Sequence, residues 1–122
     1  MAEDTHATLE LPPTELLATL ADARRRRALR SLNRASPRAL AALARDVAEM
    51  EAAAGGGTDA DAAAATHRVE LDLYHCQVPA LDDAGLVRYD AEAGSVAVTP
   101  RGTAVDDWLH RQTAVGRPVG CD

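Results

Sequence analysis

Between Leu73 and Gly102 the chain reads LYHCQVPALDDAGLVRYDAEAGSVAVTPRG, and its pattern changes so often within thirty residues that few folds can hold it. Leu71, Tyr74, Val78, Leu81 and Gly85 recur at spacings of three and four, which predicts a helix with one stripe packed on its neighbours and the opposite face left for a partner. Gly85 falls where the period stops, and a glycine there can take the left-handed conformation that closes a helix. Leu86–Tyr89 and Ser95–Thr99 are alternating or β-branched runs, and the five residues 90–94 between them end in Gly94, so a two-stranded hairpin is expected. Thr99-Pro100-Arg101-Gly102 then stops the strand at a corner.

Upstream, Pro12 and Pro13 mark a start, and Leu16, Leu17 and Leu20 form one side of a short helix. Asp22 breaks or caps that run and opens a second helix whose apolar face is Ala28, Leu29 and Leu32, with Arg25 on the same side. The run Arg24–Arg27 turns by about 100° per residue, so it cannot form a single basic patch. Arg25 either lays its stem on the core and pairs its head with a carboxylate or helix end, or it contacts a phosphate. Ser36-Pro37 is read as the start of a third helix with the stripe Leu40, Leu43, Ala44, Val47 and Met50. Residues 52–66 interrupt two alanine runs with three glycines and stand as an insertion, part mobile loop and part helix extension.

After the hairpin, Thr103 is expected to cap a last helix whose apolar side is Val105, Trp108 and Leu109. That helix either folds back on its own domain or pairs with its copy in a second subunit, which makes these three residues candidates for dimerisation. Residues 1–11 and 113–122 are expected to be mobile tails. The fold class that follows is mainly α with a small β-hairpin, a winged helix-turn-helix occupying residues 12–112 as one domain.

Every one of the thirteen basic residues is Arg, Asp outnumbers Glu by twelve to seven, and Ala exceeds a fifth of the chain. A GC-rich genome and a cell of molar internal salt both favour such a composition, the second because salt screens repulsion between surface carboxylates. The net charge of −6 does not advertise nucleic-acid binding. No apolar run spans a membrane and MAEDTHATLE is acidic and polar, so a cytoplasmic protein is expected. Cys76 and Cys121 form neither a disulfide framework nor a zinc spacing.

Leu20–Leu32, LADARRRRALRSL, resembles the early helices of ArsR-like winged-helix regulators. Leu81-Asp82-Asp83-Ala84-Gly85-Leu86-Val87 is similar to their exit from the recognition helix, and Val98-Thr99-Pro100-Arg101-Gly102 is similar to the corner after the wing in MarR and PadR regulators. Arg68-Val69, Tyr74-His75 and the run Val78–Asp90 more closely resemble an uncharacterised haloarchaeal winged-helix domain family over about residues 14–100. The resemblance implies a three-helix core with a wing and a role in transcription. Gln77-Val78-Pro79 stands where many members of that family carry His-Leu-Pro.

The function expected on this reading is a dimeric, DNA-binding transcriptional regulator that reads double-stranded DNA with the helix around residues 68–84 and the wing 86–99. Arg68, Asp72, His75 and Gln77 would face base edges in the major groove, and Arg38 and Arg88 are further candidate contacts. Glu70, Asp72, Asp82 and Asp83 on the same helix oppose phosphate in ordinary salt, while Pro79 predicts a kink within it. A protein-interaction module built on the acidic helix is the alternative. A third reading is a metal or thiol sensor using His75-Cys76 with Cys121 or His110, although neighbours on a helix chelate poorly and Cys76 ordinarily would be a small buried hydrophobe. No phosphate loop, paired-His motif or activated nucleophile is present, so neither an enzyme nor a cofactor is expected, and Asp82-Asp83 reads as a solvated acidic face.

Overall fold

The computed structural model describes residues 14–56 and 61–120. Among the described residues the helical layer and the sheet are built from α1 (Thr14–Thr19), α2 (Ala23–Arg34), β1 (Arg38–Ala39), α3 (Leu40–Glu51), α4 (Ala62–Asp72), α5 (Val78–Asp83) and the strands β2 (Val87–Asp90) and β3 (Ser95–Val98). A last helix, α6 (Pro100–Gly120), follows. The three strands form one antiparallel sheet in the order β1-β3-β2, so the chain is mainly helical with a small sheet, as a winged-helix fold requires. The tails at residues 1–11, Cys121 and the loop part of the insertion at 57–60 lie outside the described residues. Among the described residues no helix is long and apolar enough to cross a membrane.

Local chemistry explains most element ends. Asp22 caps α2, its Oδ1 accepting from the amides of Arg24 and Arg25 at 2.8 and 3.2 Å. The helix expected to start at Ser36-Pro37 begins instead at Leu40. Arg38 and Ala39 are drawn off to pair with Val96 and Ser95 on the otherwise free edge of β3, and Ser36 Oγ accepts from the amide of Val98 rather than capping a helix. Beyond Glu51 the helical coil runs on over Ala52–Gly56 until Gly55, at φ 92°, ends it; this is the helix-extension part of the insertion. Asp61 then caps α4 by accepting from the amide of Ala64.

Gly85 closes α5 at φ 79°, and its amide bonds to Asp82 while that of Leu86 reaches back to Leu81, the paired bonds of a Schellman ending. Buried Leu81 and Leu86 meet under that turn. The hairpin is displaced by one residue from its expected strands: Val87 faces Val98 and Asp90 faces Ser95. Asp90 Oδ1 accepts from the amides of Glu92 and Ala93, which shortens the loop to 91–94.

The last helix starts at Pro100, three residues before the Thr103 cap expected, because Thr99 does the capping. Its Oγ1 accepts from the amide of Gly102 and donates to the carbonyl of Gly85, 2.7 Å away, tying the helix start to the end of α5. The helix also continues past the end expected at residue 112, since extending a formed helix costs far less than starting one. It packs on α2 and touches β3 of the same chain. Val105, expected at a dimer interface, is therefore part of the chain's own core, and Leu109 packs against that core; Trp108 remains half-buried.

The core joins Leu16 of α1 and Leu20 in the turn after it, Leu29 and Leu32 of α2, Leu43 and Val47 of α3, and Leu73, Val78, Leu81 and Val96. Gly102 is fixed by the close approach of α6 to the strand entry: a Cβ there would lie 2.1 Å from the carbonyl oxygen of Leu86 and 2.7 Å from Val98 Cγ2. Gly102→Ala must push backbone apart and is expected to cost about 2–3 kcal/mol in urea unfolding.

Candidate nucleic-acid interface

Residues 62–83 form one nearly continuous helical rod, but its middle is not a regular α-helix. Between α4 and α5 the segment Leu73–Gln77 widens into a π turn, in which the amide of Val78 bonds to the carbonyl of Leu73. The wide turn lies immediately before Pro79, whose ring would collide with the carbonyl four residues back in a regular α-helix. Inserting one residue in the turn lets Gln77 and Val78 both point inward. The buried positions are consequently Val69, Leu73, Gln77, Val78 and Leu81, whereas Leu71 and Tyr74 of the expected inward stripe are 46% and 48% exposed.

Gln77 is the clearest departure from the expected base-reading set, at 6% exposure with its amide fully used inside the protein. Its Oε1 accepts from Arg25 Nε at 2.7 Å, and its Nε2 donates to Asp72 Oδ2 at 2.9 Å. Asp72 is likewise removed from a base-facing role, because the same oxygen accepts from Arg24 NH1 at 3.0 Å. Arg24 completes the cluster with a bidentate pair to Glu51. Arg25 NH1 ends on the carbonyl of Thr19, the helix-end partner that its apolar-face position suggested. One polar network thus joins α1, α2, α3 and α4 to the π turn.

Charge states follow from these contacts. The hydrogen bonds that Arg24 donates to Glu51 outweigh burial and hold its guanidinium above its ordinary pKa. Burial alone would raise the Asp72 carboxyl, but hydrogen bonds from Gln77 and Arg24, the Arg24 charge and a further bond from Cys76 bring it below the ordinary carboxylate range. Asp46 is lowered chiefly by the hydrogen bond from buried Ser31 Oγ, with Arg34 and the charge of Arg38 adding to it.

Arg38 lies on β1, donates Nε to the carbonyl of Ala35 and is half-buried, so it is engaged with its own domain. Arg88 lies exposed on β2, two strands away across β3. Arg68 and His75 are exposed on the rod. His75 stacks edge-on with Tyr74 at a centroid distance of 4.8 Å, and Tyr74 stands 6.3 Å from Tyr89 of β2, so the helix face and the wing meet through aromatic rings. Asp82 also turns to the wing, its Oδ2 accepting from the amide of Tyr89 at 3.0 Å. Cys76 is exposed, not the buried hydrophobe expected, because the π turn rotates it outward. Among the described residues no group of His, Cys, Asp or Glu could hold a metal ion.

The geometry is that of a helix and wing presented side by side, and the matching family covers nearly all of it. Residues 17–97 match a family described as a domain of unknown function, DUF7344. The chain belongs to the DUF7344 family. No curated protein and no solved structure matches it. The matched span of this DUF7344 domain takes in the whole polar network, the rod and nearly all of the hairpin, and leaves α6 outside.

Sequence reasoning missed Glu51 and Asp106 as structural groups. Asp106 is 3% exposed and accepts from Arg30 and Asn33 at 3.2 and 2.7 Å, which anchors α6 on α2. Its only sequence signal is an acid directly after an apolar Val105.

Two measurements check the network. Gln77→Ala removes the acceptor of Arg25 Nε and one of the two donors to Asp72 Oδ2 and is expected to lower stability by about 1–3 kcal/mol, whereas the adjacent exposed Cys76→Ser should change it by less than about 0.5 kcal/mol. Because the Asp46 and Asp72 carboxyls are lowered in the folded chain, their contribution is present above the ordinary carboxylate pKa and is lost as pH falls through the lowered folded values. The denaturant midpoint should therefore stay level from neutral pH down to the carboxylate range and then fall, and Asp46→Asn should flatten that acid limb.

Proposed function

We propose that this DUF7344 domain is a DNA-binding transcriptional regulator that lays the rod and the wing against double-stranded DNA. The observation that carries the reading is the disposition of charge on the rod. Asp72 and Asp82, two of the four acids expected to repel phosphate, are tied into the protein by Arg24, Gln77 and the Tyr89 amide, while His75 and Arg88 stand exposed. His75 offers a donor or acceptor to a base edge, and Arg88 on the wing suits a phosphate.

The acidic chain fits a cytoplasm of high salt, as in haloarchaea, where counterion release supplies little drive and base contacts and apolar burial carry more of the affinity. Such a regulator acts as a dimer, and half-buried Trp108 on α6 is the residue assigned to the second subunit.

A second reading rests on Leu71 and Tyr74, large apolar groups exposed on the same face, which suit a protein partner. Titrating the DNA upstream of the gene at low and at molar KCl separates the two. On the DNA reading, a preferred sequence survives at molar KCl, His75→Ala costs about 1–3 kcal/mol and relaxes the preference, and Arg88→Ala weakens all sequences alike. Binding without sequence preference at both salts would overturn it and favour the protein partner.

A further inference from the structure

On the side of α2 where α6 crosses it, a cleft of about 250 Å³ opens between α2, α6 and the end of α3. Arg26, Arg27 and Arg30 contribute three positive charges to its lining against the single carboxylate of Asp106, in a chain whose net charge is −6. Met50 and Leu109 supply an apolar wall and His110 a further polar edge.

The arginines differ in what they are already doing. Arg26 is held by the carbonyls of Leu20 and Ala21 at the end of α1, at 2.7 and 3.1 Å. Arg30 gives NH1 to buried Asp106 and keeps its other guanidinium donors. Arg27, half-buried between them, makes no hydrogen bond or ion pair among the described residues. The neighbouring arginines Arg24 and Arg25 are both consumed by the polar network. A half-buried guanidinium with no carboxylate on it among the described residues, in a chain so rich in carboxylates, is a position prepared for an anion from outside.

We propose that this cleft binds a small organic carboxylate. Its carboxylate lies between Arg27 and the free donors of Arg30, a planar pairing that guanidinium favours, and its apolar body rests on Met50 and Leu109. The volume admits roughly eight water-sized groups at about 30 Å³ each, which fits a short-chain or single-ring acid. The site is independent of the DNA reading, since it lies on α2 and α6 and uses none of Arg68, His75 or Arg88.

Benzoate and hexanoate are suitable probes, with benzamide and inorganic phosphate as controls. Followed by NMR of the Met50 methyl and the His110 ring in the full chain, benzoate or hexanoate should shift both signals saturably. Benzamide should not, for want of charge, and phosphate should bind at least tenfold more weakly, for want of an apolar body. Arg27→Gln, which breaks no hydrogen bond or ion pair among the described residues, should leave the unliganded melting temperature unchanged and weaken the acids at least tenfold. Absence of saturable shifts with both acids, or equal affinity in the Arg27→Gln variant, would overturn the proposal. Phosphate binding as tightly as benzoate would also overturn it, since the site would then take any anion.

Discussion

The bond between Gln77 and Arg25 decides how the rest of the surface is used. A neutral amide at 6% exposure is tolerable only because each of its polar ends has a partner, Arg25 on one side and Asp72 on the other. Those partners are in turn fixed: Arg25 on the end of α1, Asp72 on Arg24, and Arg24 on Glu51. The rod can neither rotate nor slide along α2 without leaving buried Gln77 and its partly buried partners unpaired at once. Its outward face, with Leu71, Tyr74, His75 and Cys76, is set by what the inward face must satisfy.

The network also explains how an acidic chain assembles a helical core around a run of four arginines. Arg24 and Arg25 face carboxylate and amide partners inside, Arg26 neutralises the carbonyl end of α1, and Arg30 holds the buried Asp106 of α6. Surface ion pairs are worth little, and in molar salt less, but partly buried, bidentate and shared pairs resist screening. The arginines of α2 therefore act mainly as structural clamps. That assignment turns most of the arginine run inward, to partners in the protein itself, and leaves Arg27 as the exception.

Features set by short-range chemistry were legible in the sequence. The Asp22 cap, the Gly85 ending, the hairpin with Gly94 and the order of helices and strands all depend on neighbours within a few residues. What was hidden depends on distant partners. Ser36-Pro37 carries a helix-start signal, yet the open edge of β3 takes the following residues into a strand. The rod's pattern was read with an uninterrupted helical period, whereas the π turn before Pro79 adds a residue and moves the stripe, so Leu71, Tyr74 and Cys76 emerge and Gln77 disappears. A polar side chain on a helix reads as outward-facing until its partners, here more than fifty positions earlier in the case of Arg25, are known.

The register of the rod is the point on which the interface stands, and thiol labelling tests it most directly. In a background with Cys76 and Cys121 replaced by Ser, single Leu71→Cys and Leu73→Cys variants differ by two positions on one helix. The π-turn register predicts that the thiol at position 71 reacts with a water-soluble reagent at the rate of an exposed cysteine, while the thiol at position 73 reacts only on unfolding. Protection at 71 together with rapid labelling at 73 would contradict the account and restore the uninterrupted helix.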